Sequence, residues 1–194
     1  MVIVLLAQYA SARGRGRKDY SAKAGSPING IIYNFTWALM PAHKETIRLH
    51  PVKFAVGVLM HIGIFLAIAK ALLLLVVPSL SPCCPIAFGL ILGIAALCGL
   101  YLFLRRVFSV ELRLMSSPDD YISILLTLVF LLMAMGHESG LMDSDGFLIY
   151  ASILFFYLPL GKLKHALFFF IARADFGARL GYRGTYPAKS GVKE

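Results

Sequence analysis

Two histidines lie inside apolar runs of this sequence, His61 in LMHIGIF and His165 in PLGKLKHALFFF. An ionisable side chain at the centre of a membrane-spanning helix costs roughly 3 kcal/mol, so each marks a candidate functional site. Two imidazoles that face one another across a helix bundle can serve as the axial ligands of a b-type haem. A second group, Lys70 with His137 and Glu138, has the side chains needed to hydrogen-bond a quinone carbonyl and handle its proton. The plainer reading of Lys70 is a side chain that snorkels to the membrane surface.

The remaining reactive residues are few. Cys83, Cys84 and Cys98 form neither a disulfide framework nor a metal-ligand spacing, and Cys83-Cys84 falls in a helix connection between Pro82 and Pro85. The lack of CxxCH excludes covalently attached c-type haem. No GxGxxG, Walker loop or cysteine cluster occurs, so flavin, nucleotide and iron–sulfur sites would have to reside on other chains. His50 falls on nearly the same helix face as His61 but nearer the helix start, and His43 sits in a basic segment. No residue is singled out as catalytic.

The elements that must position these groups follow from composition. Of 194 residues, 59% are hydrophobic and 15% charged, with mean hydropathy +0.77. A soluble domain is about a quarter charged, so the expected class is an all-α integral membrane protein. A span needs about 20 apolar residues. Residues 52–77, 86–104, 121–136 and 147–172 meet or approach this, which predicts a four-helix transmembrane bundle. The third is short, yet SSPDDY before it is a helix start: Ser117 can cap, Pro118 suits the first turn, and Asp119 and Asp120 complement the dipole. Pro159 predicts a kink in the fourth span. The apolar N-terminus, MVIVLLAQYASA, is too short to span, and is read as a truncated fifth helix, a late start or an interfacial foot.

The net charge of +9 is a topology signal rather than a nucleic-acid signal. With four spans, every Lys and Arg except Lys70 falls on one side, while the loop GHESGLMDSDG on the other carries Glu138, Asp143 and Asp145 and no basic residue. The positive-inside rule then puts both termini in the cytoplasm of a multi-pass protein of the inner (cytoplasmic) membrane. Residues 1–50 are expected to form a cytoplasmic or interfacial segment, 51–173 the haem-binding bundle, and 174–194 a basic cytoplasmic tail. His61 lies nine residues into the first span and His165 eight before the end of the fourth. At 1.5 Å per residue these are depths of roughly 14 and 12 Å, which matches the two histidines in level. Gly57 and Gly63 are read as room for a macrocycle, and Lys53, Lys162 and Lys164 as candidate partners for propionates.

Three segments, HKETIRLHPVKFAVGVLMHIGIF, ELRLMSSPDDYISILL and YLPLGKLKHALFFFIARADFGARLGYRGTYP, together resemble the nitrate reductase gamma-subunit superfamily. The nearer branch is that of sulfate-reducer and heterodisulfide-reductase-type electron-transfer complexes. That resemblance implies a membrane cytochrome b that exchanges electrons between a quinone pool and a cytoplasmic iron–sulfur subunit. It also maps the HIG and PxxxLxH ligand motifs onto His61 and His165. Ala71 and Phe147 stand where two-haem members carry further histidines, so one haem is expected. The alternatives are a haem-free anchor of such a complex and, from another class, a small proton-conducting channel or transporter subunit. The expected partners are an iron–sulfur subunit, lipid and quinone, with the basic segments 13–53 and 173–193 as a docking surface.

Overall fold

The structure is a computed structural model that describes residues 2–14, 21–41, 47, 49–77 and 85–187. Cys83, Cys84, His43 and the basic residues Arg15, Arg17, Lys18, Lys44, Arg48, Lys189 and Lys193 lie outside the described residues. The described chain is helical, with no strand among the described residues. Its helices are α1 (Val2–Gly14), α2 (Pro27–Phe35), α3 (Pro51–Val76), α4 (Pro85–Phe108), α5 (Val110–Leu114), α6 (Pro118–Glu138), α7 (Ser144–Tyr157) and α8 (His165–Tyr182). Short 3-10 turns occupy Trp37–Leu39 and Lys162–Lys164. Among the described residues three helices, α3, α4 and α6, are long and apolar enough to cross a membrane, and Ser144–Tyr157 with Lys162–Tyr182 would make a fourth if counted as one broken span. The 13 residues of α1 reach only about 20 Å, short of a roughly 30 Å hydrocarbon core.

The chain divides into two compact units. The first is Pro51–Leu163; the second joins Val2–His50 to Lys164–Glu194. The first boundary coincides with the expected one at residue 50. The second falls before α8, so the segment expected to close the bundle and the tail after it both belong with the N-terminal residues.

In the first unit, the buried stripe of α3 is Met60, Gly63, Ala67, Lys70, Ala71 and Leu74, spaced three and four apart as one helix face requires. Leu92, Ala95 and Ala96 of α4, Leu128, Phe130, Leu131 and Ala134 of α6, and Phe147, Ala151 and Leu154 of α7 complete the core. Phe130 and Phe147 stack with centroids 5.6 Å apart. Small residues set the spacing of α3 and α4: a Cβ on Gly63 would fall 2.2 Å from the Cβ of Ala95. Such close approach is how apolar helices gain packing where the surroundings are themselves apolar. Gly63 therefore serves helix packing, not the macrocycle expected of it.

The start of α6 is built as its sequence predicts. Ser117 is the N-cap, Pro118 opens the helix, and Asp120 receives the Ser117 backbone N–H at 2.8 Å and its hydroxyl at 2.9 Å. The two aspartates also tie three other segments together. Arg106 at the end of α4 lies 3.2 Å from Asp120, and the Lys162 ammonium pairs with the same carboxylate. Asp119 accepts the Tyr157 hydroxyl and, at 2.8 Å, the Lys162 backbone N–H. Lys162, expected to reach a propionate, is instead engaged with Asp120.

The kink expected at Pro159 is a full interruption. The ladder of α7 closes with Leu158 N–H to Leu154 O at 2.9 Å; Leu160 and Gly161 N–H then share one acceptor, Tyr157 O, at 2.9 and 3.2 Å. Proline has no N–H to continue the ladder, and Asp119 supplies an acceptor for the chain as it leaves the turn. Helix resumes at His165, so residues 147–172 fall on two helices separated by a break rather than on one kinked helix.

In the second unit, α2 and α8 pack backbone against backbone. A Cβ on Gly30 would lie 2.1 Å from Gly177 O, and one on Gly181 would lie 2.4 Å from Ser26 O. Asn34, buried, donates to Arg173 O at 2.6 Å, and the Arg173 guanidinium returns bonds to Asn34 O and, at 2.9 Å, Asn34 Oδ1. Phe35 stacks on Phe170, and Tyr33 meets Tyr186 edge-on at 4.8 Å. Arg173 thus joins two helices, while Arg179 and Arg183 are exposed.

Candidate functional site

Lys70 and, remote from it in sequence, the adjacent pair His137 and Glu138 meet at one end of the first unit. Lys70 faces inward because it shares the buried stripe of α3; Glu138 and His137 form the last turn of α6. The Lys70 Nζ lies 3.1 Å from Glu138 Oε1, with the two side chains 7% and 1% exposed. Lys70 does not snorkel here: it is held in a buried ion pair. Gly89 of α4 backs the acid, a Cβ there falling 3.8 Å from Glu138 Cβ.

His137 bridges this pair to the start of α7. Its Nδ1 faces Glu138 Oε1 at 3.7 Å, and its Nε2 lies 3.1 Å from Ser144 Oγ. Its ring packs on Phe147 with centroids 5.6 Å apart. Ser144 is flanked by Asp143, the N-cap of α7, and Asp145, both exposed. Two buried atoms, His137 Nδ1 and Glu138 Oε2, have no hydrogen-bond partner among the described residues, while Glu138 Oε1 meets only the Lys70 ammonium. Native proteins pair nearly all such atoms. An under-satisfied cluster of acid, base and ammonium is suited to accept a polar ligand atom, a water or a proton.

The two histidines expected to ligate haem fall in different units, His61 in the first and His165 in the second. His61 is exposed, turned away from the buried stripe of α3, with Nδ1 2.7 Å from Gly57 O. Gly57 O can only accept, so that contact needs a proton on Nδ1, the kind of hydrogen bond that also orients metal-bound imidazoles. A Cβ on Gly57 would meet nothing within 4 Å. His165 is exposed and is the first residue of α8, not an interior residue of a long span. The equal-depth argument assumed a continuous helix and does not carry over the interruption at Leu158–Gly161. Among the described residues no three His, Cys, Asp or Glu side chains gather as metal ligands.

Two features lay outside the sequence reading. Asp119 and Asp120 were legible as a helix start but not as a tie to Tyr157 and Lys162, which are remote in sequence. The α2–α8 contact had a signal in Gly177-x-x-x-Gly181, a small-xxx-small spacing that permits close helix approach. No family model, curated protein or solved structure matches the chain. Fold and site define an all-helical protein with three or four helices of membrane-spanning length and a buried Lys–Glu–His cluster at one end.

Proposed function

We propose that this chain is a membrane cytochrome b subunit of a respiratory redox complex, moving electrons between a membrane quinone and a cytoplasmic iron–sulfur partner subunit. The observation that carries the reading is the buried ion pair of Lys70 and Glu138 beside His137. In hydrocarbon such groups are retained for function. The Lys70 ammonium can donate to a quinone carbonyl, and Glu138 and His137 can hold the proton. Oxidation of one quinol releases two electrons and two protons, and the carboxylate and imidazole are the bases at hand. The loop next to this cluster has no Lys or Arg, which supports an outer-face position for the site.

His61, with its Nδ1 contact to Gly57 O, is one axial ligand in this reading, and His165 is the second that the PxxxLxH resemblance implies. A haem held there supplies one-electron transfer between the quinone and the partner. Ala71 and Phe147 are both fully buried in the core, which supports one haem rather than two. Arg179 and Arg183 contribute to a basic surface for the partner or for anionic lipid.

A second reading, a haem-free anchor of the same kind of complex, is favoured by the interruption before His165. The reduced-minus-oxidised spectrum and haem-to-protein ratio of the purified chain separate the two. One b-type haem per chain, lost in both His61→Ala and His165→Ala, supports the cytochrome. No haem in the native chain leaves the anchor, or a proton-conducting subunit built on the same buried cluster.

A further inference from the structure

The ring of His137 has its two nitrogens aimed in different directions. Nδ1 looks inward at a carboxylate whose side chain is 1% exposed. Nε2 looks outward at Ser144, which stands between the exposed carboxylates of Asp143 and Asp145. A purely structural histidine needs one good hydrogen bond. Here the inward nitrogen has no hydrogen bond among the described residues, and neither has Oε2 of the acid beside it, whose Oε1 meets the Lys70 ammonium at 3.1 Å. The 3.7 Å between His137 Nδ1 and Glu138 Oε1 closes to a hydrogen bond with a small side-chain rotation or one bridging water.

We propose that His137 is the outlet by which protons leave the buried Lys70–Glu138 pair, running from Glu138 through the imidazole to Ser144 and the Asp143 and Asp145 carboxylates. This rests on the reading above, in which quinol protons arrive at Glu138, and adds the route and the order of carriers. The protonated Glu138 carboxyl gives its proton to Nδ1 of neutral His137, leaving a carboxylate and an imidazolium. The imidazolium then loses the proton on Nε2 to water hydrogen-bonded at Ser144, and a ring flip restores the starting tautomer. One proton crosses from the interior to the surface and no charge accumulates.

The charged and titratable groups around the ring fit this direction. From α3 comes Lys70, whose positive charge holds Glu138 as a carboxylate after each transfer. From α7 come Asp143 and Asp145, which attract a proton outward. From α4 the near neighbour is Gly89, which titrates nothing.

The test is infrared detection of Glu138 protonation after a pH jump, on the full chain in lipid vesicles, with the carboxyl band assigned by Glu138→Gln. The rate at which Glu138 protonates should fall in His137→Phe by at least about a hundredfold, the lower end of what a positioned proton carrier contributes. Added imidazole should restore it. Ser144→Ala, which disturbs packing less, should slow it to a smaller degree. An unchanged rate in His137→Phe, a slowed rate that imidazole does not rescue, or a Glu138 band indifferent to pH would overturn the proposal. The experiment contains no quinone, so a failure to bind quinone would sink the quinone reading and leave this result standing.

Discussion

Removing one member of the Lys70–Glu138 pair should be far more damaging than removing both. The ion pair spans 3.1 Å with both side chains nearly inaccessible. At an effective dielectric constant of about 20, charges at that distance attract by about 5 kcal/mol. That attraction offsets a desolvation penalty of several kcal/mol per ion, so the pair as a whole contributes little net stability. Lys70→Met strands a carboxylate among apolar side chains and should cost about 3–5 kcal/mol, as should Glu138→Leu, which strands an ammonium. The double variant removes both charges and should recover most of that loss, since apolar replacement of a buried pair is often close to neutral. The assay is unfolding in mixed-detergent micelles followed by far-ultraviolet circular dichroism, with the four proteins forming a double-mutant cycle. Additive losses in the double variant would refute the pairing. So would a loss under about 1 kcal/mol for Lys70→Met, the behaviour of an exposed, snorkelling lysine.

Other predictions follow from local geometry. Tyr157→Phe removes the hydroxyl that Asp119 accepts and should cost about 1.5–3 kcal/mol, the range for bonds to charged groups. Hydrogen exchange at the Lys162 amide should speed up with it, and unaltered exchange would dismiss the tie. Gly30→Ala drives a Cβ into Gly177 O and should destabilise the α2–α8 pair by about 1–3 kcal/mol. The expected sign is faster exchange in α2 with the core amides of α3, α4 and α6 unchanged. Arg173→Lys should weaken the same pair, because an ammonium cannot reproduce the guanidinium fork on Asn34; thermal melting of the second unit's exchange protection measures it.

Much of the helical architecture was legible from composition and periodicity. Three apolar runs became α3, α4 and α6 with ends displaced by a few residues, and the SSPDDY start of α6 was built as capping chemistry predicts. Lys70, His137 and Glu138 were legible as a group because they lie toward the C-terminal ends of the first and third apolar runs, which run in the same direction. That Lys70 is buried rather than snorkelling was written in its spacing from Gly63, Ala67 and Leu74, a face that hydropathy averaging hides. The expected kink in the fourth run is a sharper break than its hydropathy suggests, for a definite reason. Window hydropathy over 147–172 does not register that a proline followed by Gly161, with an acceptor at Asp119, can stop a helix outright. The meeting of α2 with α8 is a contact between sequence ends, and nothing local except the Gly177 and Gly181 spacing announces it.

The central claim joins a buried proton-handling site to electron transfer, and one measurement addresses both. The purified chain in proteoliposomes is mixed rapidly with a reduced short-chain quinol, and haem absorbance is followed in the native protein, Lys70→Met and Glu138→Gln. The account predicts haem reduction by quinol in the native chain and a rate lowered by at least about tenfold in each variant, with haem content unchanged. Equal rates in all three, or no reduction of a haem that dithionite reduces, would contradict it.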